Sequence, residues 1–250
     1  MAGHNKWSKV KRLKGALDAK RGQIFSRLAK EIALAAKLGG GDPDGNVRLR
    51  AAVQAARAEN MPNDNIARAI KRGTGELEGG QIEEMTYEAY GPGGVALLIE
   101  VATDNKNRTA ADLRHVLSKN HGNLGSSGSV AYLFHRRGQI VVPAESIGEE
   151  ALLEKVIEAG GDEMESDVEN HLILTAPDRL YPVAEALRSG GVAVASSKLV
   201  FVPGTLVPVT DPALAAQVIR LCDALDESED VQQVHSNADI PEPVLAGLEA

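Results

Sequence analysis

The sequence is almost without cysteine and poor in aromatic residues. Its single thiol, Cys222, permits no internal disulfide and no cysteine-built zinc site, which fits a reducing compartment. Aromatics are 3% of the 250 residues, with one Trp, four Tyr and three Phe, so Ala, Val, Leu and Ile supply most of the apolar surface. No apolar run approaches the roughly 18–20 residues of a membrane span, and no membrane partner is expected. The N-terminus also lacks an apolar stretch before a small-residue cleavage site, so the cytoplasm is the expected location. The six His, at 4, 115, 121, 135, 171 and 235, show no ligand spacing. Neither a metal nor a cofactor is expected.

Motifs of catalysis are equally scarce. No Walker A sequence is present, so nucleotide hydrolysis has no phosphate cradle. Gly91-Pro92-Gly93-Gly94-Val95-Ala96 formally fits G-x-G-x-x-A, but a dinucleotide site needs that motif to open a helix. Here a strand follows and Pro92 removes one N–H, so a hairpin turn is the better reading. Gly125-Ser126-Ser127-Gly128-Ser129 falls one residue short of a nucleophile elbow and has no assignable acid–base partner; it reads as a mobile interdomain linker. Glu149, Glu150, Glu154 and Glu158 share one helix and read as a solvated acidic face. No catalytic residue is assigned, and the chain reads as a non-enzyme.

What the sequence does contain is charge, unevenly placed. The formal net charge is -8, yet residues 1–75 hold 16 Lys/Arg against 6 Asp/Glu, and residues 141–250 hold 5 against 21. A basic head on an acidic body points to a polyanion-binding end. The candidate contacts are His4, Lys6, Trp7, Lys9, Lys11, Arg12, Lys14, Lys20 and Arg21, continued by Arg68, Lys71 and Arg72. Arg48 and Arg50 could extend that surface. Lys and Arg neutralise phosphates and release counterions, which gives affinity without base information. Trp7 can stack on an unpaired base, worth about 1–3 kcal/mol. A solvated basic face with a frayed tail is the bland alternative.

Residues 1–15 lack apolar periodicity and read as an arm. From Ala16, the spacing of Leu17, Ile24, Leu28, Ile32 and Ala35 predicts a helix that stops at Gly39-Gly40-Gly41. Asn46 is the predicted N-cap of a second helix, and Asn63 or Asp64 opens a third that ends at Gly73. Beyond the Gly-rich linker the period changes to two. Met85–Tyr90 and Val95–Val101 read as strands, and a helix runs from about Thr109 to Lys119. Its entrance, TDNKNRT, places Asn105, Lys106, Asn107 and Arg108 at a helix N-terminus, a possible anion or RNA contact. Helix capping by the Asx residues explains the same loop.

Val130–Val142, Glu149–Ala159, Glu163–Val168, Leu172–Thr175, a helix from Asp178 to Arg188, and Val192–Val202 then give βαββαβ, the ferredoxin-like order. The tail offers a helix, Pro212–Leu225, and a strand, Val231–His235. The expected fold class is α+β multidomain: an N-terminal three-helix domain, then two α/β domains, the second ferredoxin-like and inserted in the first. The expected boundaries are a basic arm over 1–15, a helical domain over 16–75, an α/β domain over 80–129 plus 206–250, and the insertion over 130–205. A linear order of three domains remains open.

The segments MAGHNKW, KRGQIF, LGGGDP, NVRLRAAV, NMPNDNIARAIKRGTG, YEAYGPGG, TDNKNRT and LGSSGSVAYLF together resemble the YebC/PmpR family. The resemblance is specific from Met1 to about Phe134 and persists as pattern through the tail. It implies three domains and a non-enzymatic role in gene expression. The family was long labelled as DNA-binding transcriptional regulators, and members have been linked to translation at ribosomes stalled on proline-rich stretches. Nucleic acid is therefore the implied partner, ribosomal RNA or tRNA at the ribosome being favoured and DNA the alternative. Three positions depart from the family pattern: Asn5 stands for Ser, Lys106 for Arg and His121 for Gly. Lys106 keeps the charge without the bidentate fork, and His121 disfavours a positive φ.

Overall fold

Among the described residues, apolar spacing close to 3.6 and glycine stops build three helices ahead of the first strand. The computed structural model describes residues 17–77 and 81–249, with side chains described from residue 22 to residue 248 of those ranges. Helix α1 spans Leu17–Gly39, α2 Val47–Ala58 and α3 Asn63–Thr74. Gly40, at φ +87°, turns the chain out of α1. Asn46 then does two jobs. Its Oδ1 caps α2 by accepting from the Leu49 amide at 3.1 Å, and its Nδ2 donates to the Ala35 and Gly40 carbonyls at 2.8 and 2.9 Å.

The third helix does not end at Gly73. It continues to Thr74, and Gly75 at φ +82° is the left-handed cap. Gly73 is instead a point of close approach, because a Cβ there would run into the Ala33 carbonyl oxygen of α1. Ile32, Ala36, Leu49, Val53, Ala56 and Ile66 fill the core among the three helices.

Strand β1 (Glu83–Tyr90) and β2 (Ala96–Thr103) pair antiparallel, with Tyr87 opposite Ile99 and Ala89 opposite Leu97. The turn between them is one turn of 3₁₀ helix over Pro92–Gly94. Helix α4 (Lys106–Lys119) follows, and then a short β3 (Asn123–Leu124) that pairs back on β1. The GSSGS stretch is tied down rather than loose. The Glu88 carboxylate on β1 accepts from the amides of Gly128, Val130 and Ala131 at 2.5, 2.6 and 2.8 Å. Those bonds, and a 3₁₀ turn over Ala131–Leu133, delay the next strand from Val130 to Phe134.

Next come β4 (Phe134–Pro143), α5 (Glu149–Ala159), β5 (Glu163–Ser166), β6 (Asn170–Thr175), α6 (Leu180–Ser189) and β7 (Ser196–Pro203). The sheet order is β5-β6-β4-β7, the ferredoxin-like arrangement. Ile140, Leu152, Val156, Ile173, Val183 and Leu187 form its core. Three boundaries differ from the sequence reading. The Asp167 carboxylate accepts from the amides of Glu169 and Asn170, so the turn starts before Val168. Asp178 caps nothing, because it lies in a 3₁₀ turn ahead of α6. Val192 reaches the core, yet its amide bonds back to Leu187 and the ladder begins only at Ser196.

The tail contributes β8 (Val207–Pro208), α7 (Pro212–Asp226), β9 (Val231–Ser236), β10 (Ala238–Asp239) and α8 (Glu242–Glu249). β9 joins β2 antiparallel, which completes the order β3-β1-β2-β9, and β10 runs parallel to β8. Leu97, Ile99 and Val101 face a core shared with Leu113, Leu117, Val218 and Leu221 of α4 and α7. On the other face of β2, Ala102 meets Ala33 and Leu34 of α1, together with Ile82. The chain divides into two compact units, residues 135–202 and the remainder. β3, β8, β10 and α8 are too short or too weakly patterned to have been read from the sequence.

Candidate nucleic-acid interface

Helix α3 has a simple division of faces. Ile66 and Ala69 are buried, while Arg68, Lys71 and Arg72 are exposed. Arg72 Nη2 reaches Asp104 Oδ2 at 3.2 Å. Arg68 and Lys71 have no ion-pair partner among the described residues. His4, Lys6, Trp7, Lys9, Lys11, Arg12 and Lys14 lie outside the described residues, as do the side chains of Lys20 and Arg21.

Arg48 and Arg50 do not extend the basic surface. Arg48 bonds Glu31 at 2.8 Å and Glu84 at 3.2 Å. Although burial disfavours its charge, the hydrogen bonds and charges of Glu31 and Glu84 raise its pKa further. Arg50 donates to the carbonyls of Pro43 and Asp44. Both guanidinium groups are spent inside the protein.

The TDNKNRT loop is built the same way. Asn105 Oδ1 accepts from the Arg108 amide at 3.1 Å and is the N-cap of α4. Lys106 Nζ pairs with Glu83 at 2.7 Å. Arg108 Nη2 bonds Asp230 at 2.9 Å and Asp104 at 3.2 Å. Only Asn107 of the four is exposed without a hydrogen bond among the described residues. Asp230 is the hub. It also accepts from Lys30 Nζ at 2.8 Å, Thr109 Oγ1 at 2.7 Å and Thr103 Oγ1 at 3.3 Å. Burial would raise its pKa, but the bonds from Lys30, Arg108 and Thr109 outweigh that and hold it at about 2.

These bonds fasten α1 to the turn before β9, with Lys30 also donating to the Glu229 carbonyl and Gln23 to the Glu227 carbonyl. Between α1, α3 and this turn lies a cleft of about 470 Å³. Asn65, Arg68 and Arg72 line one wall, at the i, i+3, i+7 spacing that puts them on one helical face. Asn65, Ser26 and Lys30 were not singled out from sequence; for Asn65 the helical spacing to Arg68 and Arg72 was the available signal. Among the described residues no cluster of His, Cys, Asp and Glu can hold a metal ion. None of their helices is long and apolar enough to cross a membrane. The turn over Gly91–Gly94 joins two strands, so it opens no helix for a dinucleotide.

Two sequence-family models match this chain. The TACO1/YebC protein N-terminal domain matches residues 5–76, and the TACO1/YebC second and third domain matches residues 82–238. A probable transcriptional regulatory protein of Chlorobaculum tepidum is 52% identical over 250 residues, covering 100% of this chain and 99% of that protein. A protein of the same description from Moorella thermoacetica is 49% identical over 252 residues, with 100% of both covered. The crystal structure of a conserved hypothetical protein from Aquifex aeolicus matches with a TM-score of 0.89 at 49% identity, over 94% of this chain and 97% of that one.

Proposed function

The chain belongs to the TACO1/YebC family, and from that premise we propose that it is a non-enzymatic, nucleic-acid-binding regulator of gene expression in the cytoplasm. It acts as an RNA-associated factor at the ribosome and relieves stalling at proline-rich stretches. The observation that carries this reading is the segregation of charge: 16 Lys/Arg against 6 Asp/Glu in residues 1–75, against the reverse imbalance in the remainder. Arg68 and Lys71 on α3 supply exposed cations to the same surface. The basic side chains of the first twenty-one residues supply the rest. Neutralising phosphates gives affinity and orientation, but little sequence preference.

A second reading is a DNA-binding transcriptional regulator. It is favoured by the description that the relatives carry. α3, with one face buried and Asn65, Arg68 and Arg72 on another, would then be the helix that reads base edges. Crosslinking in cells followed by sequencing of the bound nucleic acid separates the two. Recovery of ribosomal RNA or tRNA, with co-sedimentation on ribosomes and loss of proline-rich proteins on deletion, is the expected result. Recovery of promoter DNA alone, resistant to competition by random DNA, would replace the first reading by the second.

A further inference from the structure

The cleft between α1 and α3 has the composition of a pocket for one nucleotide. We propose that it receives a single unpaired nucleotide of a bound RNA, a step that rests on the nucleic-acid-binding reading above. Its size of about 470 Å³ falls within the range of small-molecule sites. Phe25, Ala29 and Met61 supply apolar surface, with Met61 only 4% exposed. Arg68 brings a guanidinium with no ion pair among the described residues, and Ser26 and Asn65 bring side-chain donors with no hydrogen bond among them.

The other cations of the cleft are already paired. Lys30 and Arg108 are held by Asp230, and Arg72 by Asp104. Their three positive charges are balanced by Asp104, Asp230 and the exposed Glu229 that also lines the cleft, which leaves Arg68 as the one excess cation among the described lining residues. A site for a bare polyphosphate would need several. One cation, one amide, one hydroxyl and an apolar surface instead match a phosphate, a base edge and a base face. Unpaired nucleotides present all three together, whereas in a duplex the base face is stacked and the edge is paired. The spacing of Asn65 and Arg68, one helical turn apart, sets base edge and phosphate side by side.

The test uses the full chain and two RNA hairpins, one fully paired and one carrying a single bulged 2-aminopurine. Wild type is expected to bind the bulged hairpin about tenfold tighter, the scale of one stacked base, and to change the 2-aminopurine fluorescence. Arg68→Ala, an exposed substitution that leaves the helix core intact, should reduce the preference to less than twofold. Asn65→Ala should do the same, and Ala29→Trp should abolish it by filling the cleft without altering charge. Lys71→Ala, outside the cleft, should weaken both hairpins equally. Equal wild-type affinity for the two hairpins, or a preference that survives Arg68→Ala and Ala29→Trp, overturns the cleft while leaving nucleic-acid binding in place. Failure to bind either hairpin overturns both.

Discussion

Asp230 gathers donors from four side chains, Lys30, Thr103, Arg108 and Thr109, and its chemistry makes part of the stability pH-dependent. Its pKa stands at about 2 in the folded protein against an ordinary 3.8. A carboxyl held below its unfolded value stabilises fully above that value, and the contribution disappears as pH falls through the folded one. The loss is therefore expected between about pH 4 and pH 2, and amounts to roughly 2 kcal/mol at most. Asp230→Asn should be less stable at neutral pH by about 2–3 kcal/mol, because Lys30 and Arg108 lose their counter-charge. Urea titrations at several pH values should show wild type and variant converging towards pH 2. Parallel curves would assign the acid sensitivity to other groups. His121 gives a second test. It sits at φ +61° just after α4, the region where the family pattern has Gly. His121→Gly relieves the Cβ strain, partly offset by greater freedom in the unfolded chain, for a net gain of about 0.5–1 kcal/mol. A rise in Tm of a few degrees is expected; a fall would mean that the imidazole makes a contact outweighing the strain.

At the scale of elements, what sequence could reveal divides according to whether the deciding contact is local. Asn46 was legible as a cap because an N-cap needs only the next three residues. The tail strand, read as Val231–His235 and observed as Val231–Ser236, was legible as a partner of the middle segment because two strands and a helix there lacked a complete sheet. Gly73 was misread as a stop, since only the approach of α1, through Ala33, makes glycine necessary inside the helix. Arg48 was misread as surface because Glu31 and Glu84 reach it from distant parts of the chain. Val130 looked like strand, and the carboxylate that takes its amide is forty-two residues away. The cleft was invisible for the same reason, being made by two helices whose packing no local pattern encodes. The Glu88 clasp offers a direct test. Burial pushes its pKa up, but amides of residues 128–131 more than compensate and hold it ionised. Glu88→Gln keeps the shape but weakens charge-assisted bonds. Hydrogen exchange at Gly128, Val130 and Ala131 should accelerate about tenfold or more, with exchange in β2 unchanged. Unaltered protection at those three amides would mean that the loop is held by its other contacts.

Over the whole molecule, the same charge asymmetry that suggests a polyanion also limits how it can be held. Residues 135–202, a compact unit by themselves, carry 6 Lys/Arg against 12 Asp/Glu. Under the proposed function such a unit would be repelled by phosphate at short range, and would add specificity through protein or shape contacts rather than affinity. In that reading affinity comes from the basic N-terminal end, and its salt dependence counts the phosphates engaged. With about five neutralised, the log–log slope of binding against salt is expected near -3.5 to -4.5. Replacing Lys9, Lys11, Arg12 and Lys14 together by Ala removes four of those contacts and should flatten the slope to about -0.7 to -0.9. Replacing Glu149, Glu150 and Glu154 of α5 by Gln should leave the slope where it was, because counterion release is set by the cations that displace them. A quadruple variant with the wild-type slope would move the affinity off those four residues and towards α3, whose Arg68 and Lys71 are exposed cations with no ion pair among the described residues.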